Sequence, residues 1–370
     1  MEEKSYSPGL EGVIAAETRI SFLDVEREEI VIRGYNLLEL IRRRSYVDVV
    51  GLLVEEQLPT EARRAELEGQ LVGAAVPPAV YEILAKLPAS MHSMDRLRTA
   101  VSALAGFDPE ADTADPQRER AKAPRLIGQI AQIVANLPRI ARGGKAIPFH
   151  VGCSFAENFL RTIVEREVSP TEVRAFDQIL MAYSEHELPN STFAARVVAS
   201  TLSDVYGALC AAIASLKGPL HGGANEAVMY MLQEAKTPEG LERLIREKLA
   251  RKERIMGFGH RVYMHRMDPR AQLLKEVARE LVSAKGKGAD LLAMCERGEE
   301  VMRAEKGLYP NLDYYAAPLY ALLDIPIELY TPIFFAARSV GLIAHVIEQH
   351  RENRLYRPRV RYLGPRGLTL

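Results

Sequence analysis

The pattern of apolar and polar positions changes once along the chain, from a short alternating stretch to a long series of helical periods. Residues 12–36 alternate loosely and contain β-branched side chains, which predicts a short β-hairpin. Beyond them, apolar residues recur at the three- and four-residue spacing of amphipathic helices. The sequence lacks the alternation of strands and helices that would indicate a parallel sheet. The pattern therefore predicts an all-α protein with a short N-terminal β-hairpin.

Capping residues mark the starts of three of the predicted helices. Thr60 precedes one apolar-periodic run, and Thr237, followed by proline, precedes another. Ser169 and Glu172 have the spacing of a capping box, with proline in the first helical position between them. Further helical periods cover residues 91–104, 117–142, 192–216, 268–285 and 329–350.

The composition indicates a globular protein and limits its partners. The chain has 370 residues, of which 48% are hydrophobic and 26% charged, enough for one large domain or two ordinary ones. Its net charge of −1 gives no general attraction to nucleic acid or to an anionic membrane. Three scattered cysteines favour a reducing compartment. The N-terminus is charged, and the apolar residues 329–347 are interrupted by Arg338, so we expect a cytoplasmic protein without a membrane span.

Several common catalytic and metal-binding motifs are missing from the sequence. There is no HExxH or CxxC pattern, no Walker A sequence and no GxSxG elbow. We therefore expect no metal. Residues 351–366 are rich in arginine, but the rest of the chain offers no basic, aromatic surface for nucleic acid. Those arginines fit a carboxylate substrate or a partner subunit better.

His221 is the first candidate for chemistry, because it lies between glycines in "KGPLHGGANEAV", just before a helical period. The positive end of the helix dipole disfavours an imidazolium there, which predicts a neutral ring. The residues alone leave two interpretations open. The ring could donate a hydrogen bond to a carbonyl that becomes an enolate, or it could satisfy backbone groups of its own loop.

His260 is the second candidate, because it follows two glycines in "GFGH" and precedes a group of arginines. Arg261, Arg266 and Arg270 follow within ten residues. Guanidinium groups suit carboxylates and phosphates, so an anionic ligand is one interpretation. A solvated basic turn is the other.

Asp313 and His186 complete the set of candidates. Asp313 leads into an apolar, aromatic run, which fits either a general base with a raised pKa or an ordinary helix N-cap. His186 could bind a ligand or pack against its loop. We expect Asn190 and Ser191, a few residues further on, to cap the next helix.

Six blocks of the sequence, taken in order, resemble the citrate synthase family. They are "HELPNSTFAARV", "KGPLHGGANEAV", "GFGHRVY" with "DPRA", "YPNLDYYAAPLY", "FFAARSVGLIAHVIEQ" and "RLYRPRVRYLG". The resemblance spans nearly the whole chain. It implies a two-domain, all-α homodimer, in which residues 1–221 begin the large domain, residues 222–323 form a small mobile domain and residues 324–370 return to the large domain.

The resemblance also implies a reaction and the residues that perform it. Acetyl-CoA would condense with oxaloacetate and water to give citrate and CoA through an enolate and a citryl thioester. No metal or permanently bound cofactor would take part. The implied catalytic residues are His221 for the thioester carbonyl, Asp313 as the base and His260 for the oxaloacetate carbonyl. The implied oxaloacetate ligands are His186, Arg270, Arg338 and, from the neighbouring subunit, Arg357. The implied CoA ligands are Gly257, Gly259, Asn311 and Arg266.

The sequence departs from the family pattern at three places. The segment after "HRVY" is one residue longer than usual, and Met264 stands where a CoA-binding lysine or arginine is common, which leaves Arg266 as a substitute. Residues 316–318 are Ala-Ala-Pro, and Leu342 occupies a position where tryptophan is common. Two alternatives therefore stay open: a 2-methylcitrate synthase that uses propionyl-CoA, and a catalytically silent paralogue that binds CoA or a dicarboxylate.

Overall fold

The computed structural model of the chain describes residues 6–24, 26–27, 29–259 and 266–369. Within them it contains sixteen α-helices and one three-stranded antiparallel sheet. The all-α class predicted from the sequence is confirmed.

The small sheet lies near the N-terminus, where the hairpin was predicted. Strand β1 (Ser21–Asp24) pairs with β2 (Glu29–Ile32), and Ser21 lies opposite Ile32. A third, two-residue strand β3 (Tyr35–Asn36) extends the hairpin. The side chain of Asn36 then caps the first helix, so the sheet leads directly into the helical part of the chain.

The first half of the chain forms eight helices, several of which pack against the long α6. They are α1 Leu37–Arg43, α2 Tyr46–Glu55, α3 Glu61–Val72, α4 Pro78–Ala85, α5 Ser93–Ala105, α6 Pro116–Ala141, α7 Phe155–Val164 and α8 Pro170–Ser184.

The second half of the described chain forms eight more helices. They are α9 Asn190–Ala199, α10 Val205–Lys217, α11 Ala224–Ala235, α12 Pro238–Ala250, α13 Pro269–Lys285, α14 Ala289–Lys306, α15 Leu312–Leu322 and α16 Tyr330–Arg351. Helices α11 to α15 pack mainly on one another, and α13 and α11 connect them to α8 and α16. The division into residues 1–221, 222–323 and 324–370 stays a prediction.

The predicted caps are found where local sequence signalled them. Thr60 and Thr237 accept hydrogen bonds from the first turns of α3 and α12. Ser169 and Glu172 form the complete capping box of α8, in which each side chain bonds to the backbone N–H of the other residue.

The prediction of one continuous helix over residues 192–216 is wrong, because the chain breaks between α9 and α10. Leu202 has a φ of 64°, a left-handed conformation that no helix interior contains. Asp204 then starts α10 by accepting a hydrogen bond from the N–H of Gly207. The break turns α10 back against α9, and the two helices pack together.

Helix α16 is the central helix of the fold and packs against α6, α8, α9 and α10. The stretch Ile327–Arg351 is long and apolar enough to cross a membrane, but all of its most apolar window is buried inside the protein. We therefore assign it to the core. At Gly341 the helix passes so close to the end of α8 that a Cβ would lie 2.5 Å from the carbonyl oxygen of Ser184. Only glycine fits this crossing.

Candidate active site

His221 lies in the loop between α10 and α11, with its ring against the first turn of α9. Its Nε2 is 2.9 Å from the hydroxyl of Ser191 and 3.3 Å from the backbone nitrogen of the same residue. A backbone N–H can only donate, so Nε2 acts as the acceptor and the ring proton belongs on Nδ1. Ser191, in the first turn of α9, thus fixes the tautomer and leaves Nδ1–H as a donor.

The His221 ring is neutral at physiological pH. Burial, and next the positive charge of Arg338, lower its pKa to about 4. The direction agrees with the prediction from the sequence, but the predicted cause was the end of a helix. Desolvation disfavours the charged form of any imidazole, and a nearby guanidinium adds to the effect.

Asn190 and Ser191 do not cap α9, which corrects the expectation from the sequence. The N-cap residue is Pro189, and Asn190 is already helical. The amide oxygen of Asn190 accepts a hydrogen bond from the Ser215 hydroxyl at 2.6 Å, while Ser191 turns towards His221. The cap signal came from residue type alone, so the orienting role of Ser191 was missed.

Asp313 lies in the first turn of α15, but it is not the N-cap. Asn311 has that position, and its side-chain oxygen accepts the N–H of Asp313 at 3.1 Å. The N-cap interpretation of Asp313 is therefore wrong. Its carboxylate instead accepts a hydrogen bond from the hydroxyl of Tyr183, with an Oη–Oδ1 distance of 2.7 Å.

Burial raises the pKa of Asp313 to about 6, although the hydrogen bond from Tyr183 and the charges of Arg270 and Arg338 oppose the increase. The negative charge of Asp268 acts in the same direction as burial. A general base works best when its pKa lies near the pH at which it operates. Asp313 meets that condition.

Two buried arginines lie beside these groups. Arg338 on α16 donates from Nε to the carbonyl oxygen of Tyr183 at 2.5 Å, and its guanidinium lies 4.9 Å from the centre of the Phe334 ring. Its two terminal nitrogens make no hydrogen bond within the described residues. Arg270 binds Asp268 through Nε and Nη2 at 3.1 and 2.7 Å. Burial lowers the pKa of Arg338 to about 10, so it stays charged at neutral pH.

Phe334 joins the parts of the cluster. Its ring centre is 6.3 Å from that of His221 and 4.4 Å from that of Tyr183, which in turn bonds Asp313. The structure therefore brings His221, Asp313 and the two arginines together. Phe334 and Tyr183 were missed from the sequence, because both look like ordinary core positions of apolar helices.

The glycines and the asparagine that the resemblance assigns to CoA also lie together, at the start of α15. Asn311 donates from its backbone N–H to the carbonyl of Gly257 at 2.9 Å and from its side chain to that of Gly259 at 3.1 Å. Gly257 has a φ of 85°, and a Cβ there would lie 2.6 Å from a methyl group of Val228. The segment 257–259 is thus held next to Asp313, and its conformation requires glycine.

The remaining candidates are a buried histidine, two exposed arginines and a histidine outside the described residues. His186 is buried in the loop between α8 and α9. Arg266 and Arg357 are both exposed. Within the described chain, the hydrogen bond that Arg357 makes is to the carbonyl oxygen of Pro358, at 3.5 Å. His260, with the rest of residues 260–265, lies outside the described residues. Within the described ranges, no three His, Cys, Asp or Glu side chains are placed to hold a metal ion.

In this helical fold, the cluster combines a half-buried carboxylate that can accept a proton with two buried guanidinium groups that can bind an anion, as an enzyme for proton removal requires. A family model, "Citrate synthase, C-terminal domain", matches residues 9–359. The chain belongs to the citrate synthase family, whose members are acyltransferases.

Relatives and solved structures agree with this assignment. A citrate synthase of Heyndrickxia coagulans is 54% identical over 99% of this chain and 98% of its own length. A citrate/2-methylcitrate synthase of Bacillus subtilis (strain 168) is 55% identical over the full length of both chains. The citrate synthase of Thermoplasma acidophilum, solved as a ternary complex with carboxymethyl coenzyme A and oxaloacetate, is 32% identical over 99% of this chain and 98% of its own, with a TM-score of 0.93.

Proposed function

We propose that the chain condenses acetyl-CoA with oxaloacetate and water to give citrate and CoA. The observation that carries the proposal is that Asp313, with a pKa of about 6, lies in one cluster with a neutral His221. Asp313 takes a proton from the methyl group of the thioester. The resulting enolate carbon attacks the ketone of oxaloacetate, and water then cleaves the citryl thioester.

The neutral ring of His221 makes the first step possible. A thioester methyl is a weak carbon acid, so the negative charge that develops on the carbonyl oxygen has to be stabilised. The Nδ1–H of His221 is fixed by the bonds of Nε2 to Ser191 and needs no reorganisation to donate to that oxygen. A donor of this kind contributes about 3 kcal/mol of transition-state stabilisation.

Oxaloacetate would bind through the arginines. Arg338 has two terminal nitrogens without a hydrogen bond in the described chain, which suits a carboxylate. Arg270, in the same cluster, is a second ligand, and His186 and His260 follow from the family pattern. Arg357 is exposed on the C-terminal tail, so in this proposal it completes the site of a second subunit in a homodimer.

The acyl-CoA would bind along the segment next to Asp313. Gly257, Gly259 and Asn311 are linked there by hydrogen bonds. We propose that their backbone groups hold the CoA chain and that Arg266 contacts its phosphates. The ternary complex of the Thermoplasma acidophilum enzyme with carboxymethyl coenzyme A and oxaloacetate supports such a site in a fold of this shape.

The test is thiol release from acetyl-CoA at saturating oxaloacetate, for the wild type and for Asp313→Asn. Loss of the base should lower kcat by roughly 10²- to 10⁴-fold. Asp290→Asn is a matched control, because Asp290 is also an aspartate in a first helical turn but is exposed. The control should keep the wild-type rate. An Asp313→Asn variant with full activity would overturn the assignment of the base.

The same assay with propionyl-CoA tests a second candidate, 2-methylcitrate synthase. The 55% identity with the citrate/2-methylcitrate synthase of Bacillus subtilis favours including it. One methylene in an apolar pocket changes specificity by only about 1–3 kcal/mol, so the two activities can coexist. Preference for propionyl-CoA would change the substrate and leave the mechanism intact. No release with either substrate would favour the silent paralogue.

A further inference from the structure

We propose that Tyr183 is a positioning residue: its hydroxyl orients the Asp313 carboxylate and holds it in the ionised form that removes the substrate proton. The proposal rests on the proposed role of Asp313 as the base. No block of the family resemblance assigns a role to Tyr183.

The phenol ring is fixed from several sides. Tyr183 is the penultimate residue of α8, and only 1% of its surface is exposed. Its ring packs on Phe334 with 4.4 Å between the ring centres, and its carbonyl oxygen accepts the Nε of Arg338. A hydroxyl held in this way cannot turn from the carboxylate without disturbing the core.

The hydrogen bond from Tyr183 gives the two carboxylate oxygens of Asp313 different roles. Oδ1 accepts from Tyr183 at 2.7 Å, whereas Oδ2 makes no hydrogen bond within the described residues. Oδ2 is therefore the oxygen left for the substrate proton. Burial, and then the charge of Asp313, raise the pKa of Tyr183 well above its ordinary value, so the hydroxyl remains a donor throughout the working pH range.

The other charged groups around Asp313 do not replace this contact. Glu226 of α11 and Glu299 of α14 bond to Thr331 and Tyr315 instead. Within the described chain, the groups that affect Asp313 most are Tyr183 of α8, Arg270 and Asp268 at the start of α13, and Arg338 of α16. Tyr320 of α15 is itself affected by the charge of Asp313. In that set only Tyr183 makes a hydrogen bond to the carboxylate.

The experiment compares Tyr183→Phe with Tyr320→Phe. Both residues are buried tyrosines near Asp313, but the hydroxyl of Tyr320 has no hydrogen-bond partner in the described chain. Tyr183→Phe should lower kcat about 10-fold or more, because a hydrogen bond to a charged group is lost. It should also move the acid limb of kcat/KM for acyl-CoA, expected near pH 6 in the wild type, upward by roughly one unit. Tyr320→Phe should change neither quantity.

Two outcomes would overturn the proposal. One is a lower kcat in Tyr183→Phe with an unmoved acid limb, which would make Tyr183 a packing residue only. The other is an equal shift of the limb in Tyr320→Phe. If Tyr183→Phe does not fold, 3,5-difluorotyrosine at position 183 keeps the shape and makes a stronger donor. The acid limb should then move downward, and an unchanged limb would again contradict the proposal.

A titration without substrate separates this proposal from the proposed function. The ¹³C-carboxyl signal of Asp313, assigned by its loss in Asp313→Asn, should titrate at higher pH in Tyr183→Phe than in the wild type. That result would support the contact even if no thiol were released. Thiol release together with an unchanged titration would leave the proposed function standing and reject the role of Tyr183.

Discussion

Asp313 is a half-buried carboxylate and Glu185 a fully buried one, and their surroundings shift their pKa values in opposite directions. Burial raises the pKa of Asp313 to about 6. Burial alone would also raise the pKa of Glu185, but His345, Arg338 and Ser21 hold it below its ordinary value. One group can therefore exchange a proton near neutral pH, while the other stays ionised.

The contacts of Glu185 explain why it stays ionised. Its Oε1 is 2.8 Å from the hydroxyl of Ser21 and 3.2 Å from Nε2 of His345. Arg196 lies 3.0 Å from the other ring nitrogen of His345 and can only donate. The ring proton of His345 therefore belongs on Nε2, where it points at the glutamate. Glu185, the C-cap residue of α8, thus links β1 and α16 as a structural anion.

Among the described residues, Asp313 has no direct donor to its carboxylate other than Tyr183. The nearby guanidinium of Arg270 forms a bidentate ion pair with Asp268. The negative charge of Asp268 also raises the pKa of Asp313. The comparison teaches that burial alone does not decide whether a carboxylate serves as a base. The number of donors and cations in direct contact decides it.

Removal of Glu185 should have the largest effect on stability. Glu185→Ala leaves Ser21, His345 and the buried Arg338 without their anion, so the free energy of unfolding should fall by about 3–5 kcal/mol in urea denaturation at pH 7. Because the folded pKa is depressed, the stabilisation is complete above the ordinary glutamate pKa and is lost as the pH falls through the folded value. The wild type and the variant should therefore converge in acid. A loss below 1 kcal/mol at pH 7 would contradict this account.

Removal of the Asp313 charge should have a smaller effect of opposite sign. Its folded pKa of about 6 lies above the ordinary 3.8, so the ionised group costs stability in full above pH 6 and nothing below 3.8. Asp313→Asn should raise the free energy of unfolding at pH 8 by about 3 kcal/mol. The gain should shrink as the pH falls from 6 towards 4. A variant less stable than the wild type at pH 8 would show that Asp313 serves as a structural anion like Glu185.

An exposed carboxylate should show almost no effect and so completes the comparison. Glu352 lies 3.9 Å from Arg19, and their side chains are 72% and 80% exposed. Solvent and salt screen such a pair, so Glu352→Ala should change the free energy of unfolding by no more than about 0.5 kcal/mol. A larger loss would mean that exposure does not separate the three carboxylates as proposed here.

The sequence predicts those features whose signal is local. The capping box of Ser169 and Glu172 needs only four consecutive residues, and the helix that it predicts is found. The break at Leu202 was missed, because apolar periodicity continues on both sides of it. The residue types of Asn190 and Ser191 wrongly predicted an N-cap there, because the N-cap of α9 is Pro189.

The resemblance supplied the candidate site residues, but not the contacts that support them. Asp313 and His221 carry family motifs, whereas Tyr183 stands in the run "ILMAYSEH" as one more core position. Its partner Asp313 lies 130 residues further along the chain. A contact over that separation depends on how α8 and α15 pack, and the periodicity of either helix alone does not contain it.

The crossing at Gly341 has a consequence for how accurately the site is assembled. Because Gly341 has no side chain, α16 packs directly against the carbonyl oxygen of Ser184 and the buried carboxylate of Glu185, both of which would lie within 2.5 Å of a Cβ at this position. Arg338 lies less than one helical turn before this crossing, and Tyr183 directly precedes Ser184. The contact at Gly341 thus fixes the distance between the Arg338 guanidinium and the end of α8. An added methyl group at position 341 would displace Arg338, which we assign to oxaloacetate, without replacing any side chain of the site.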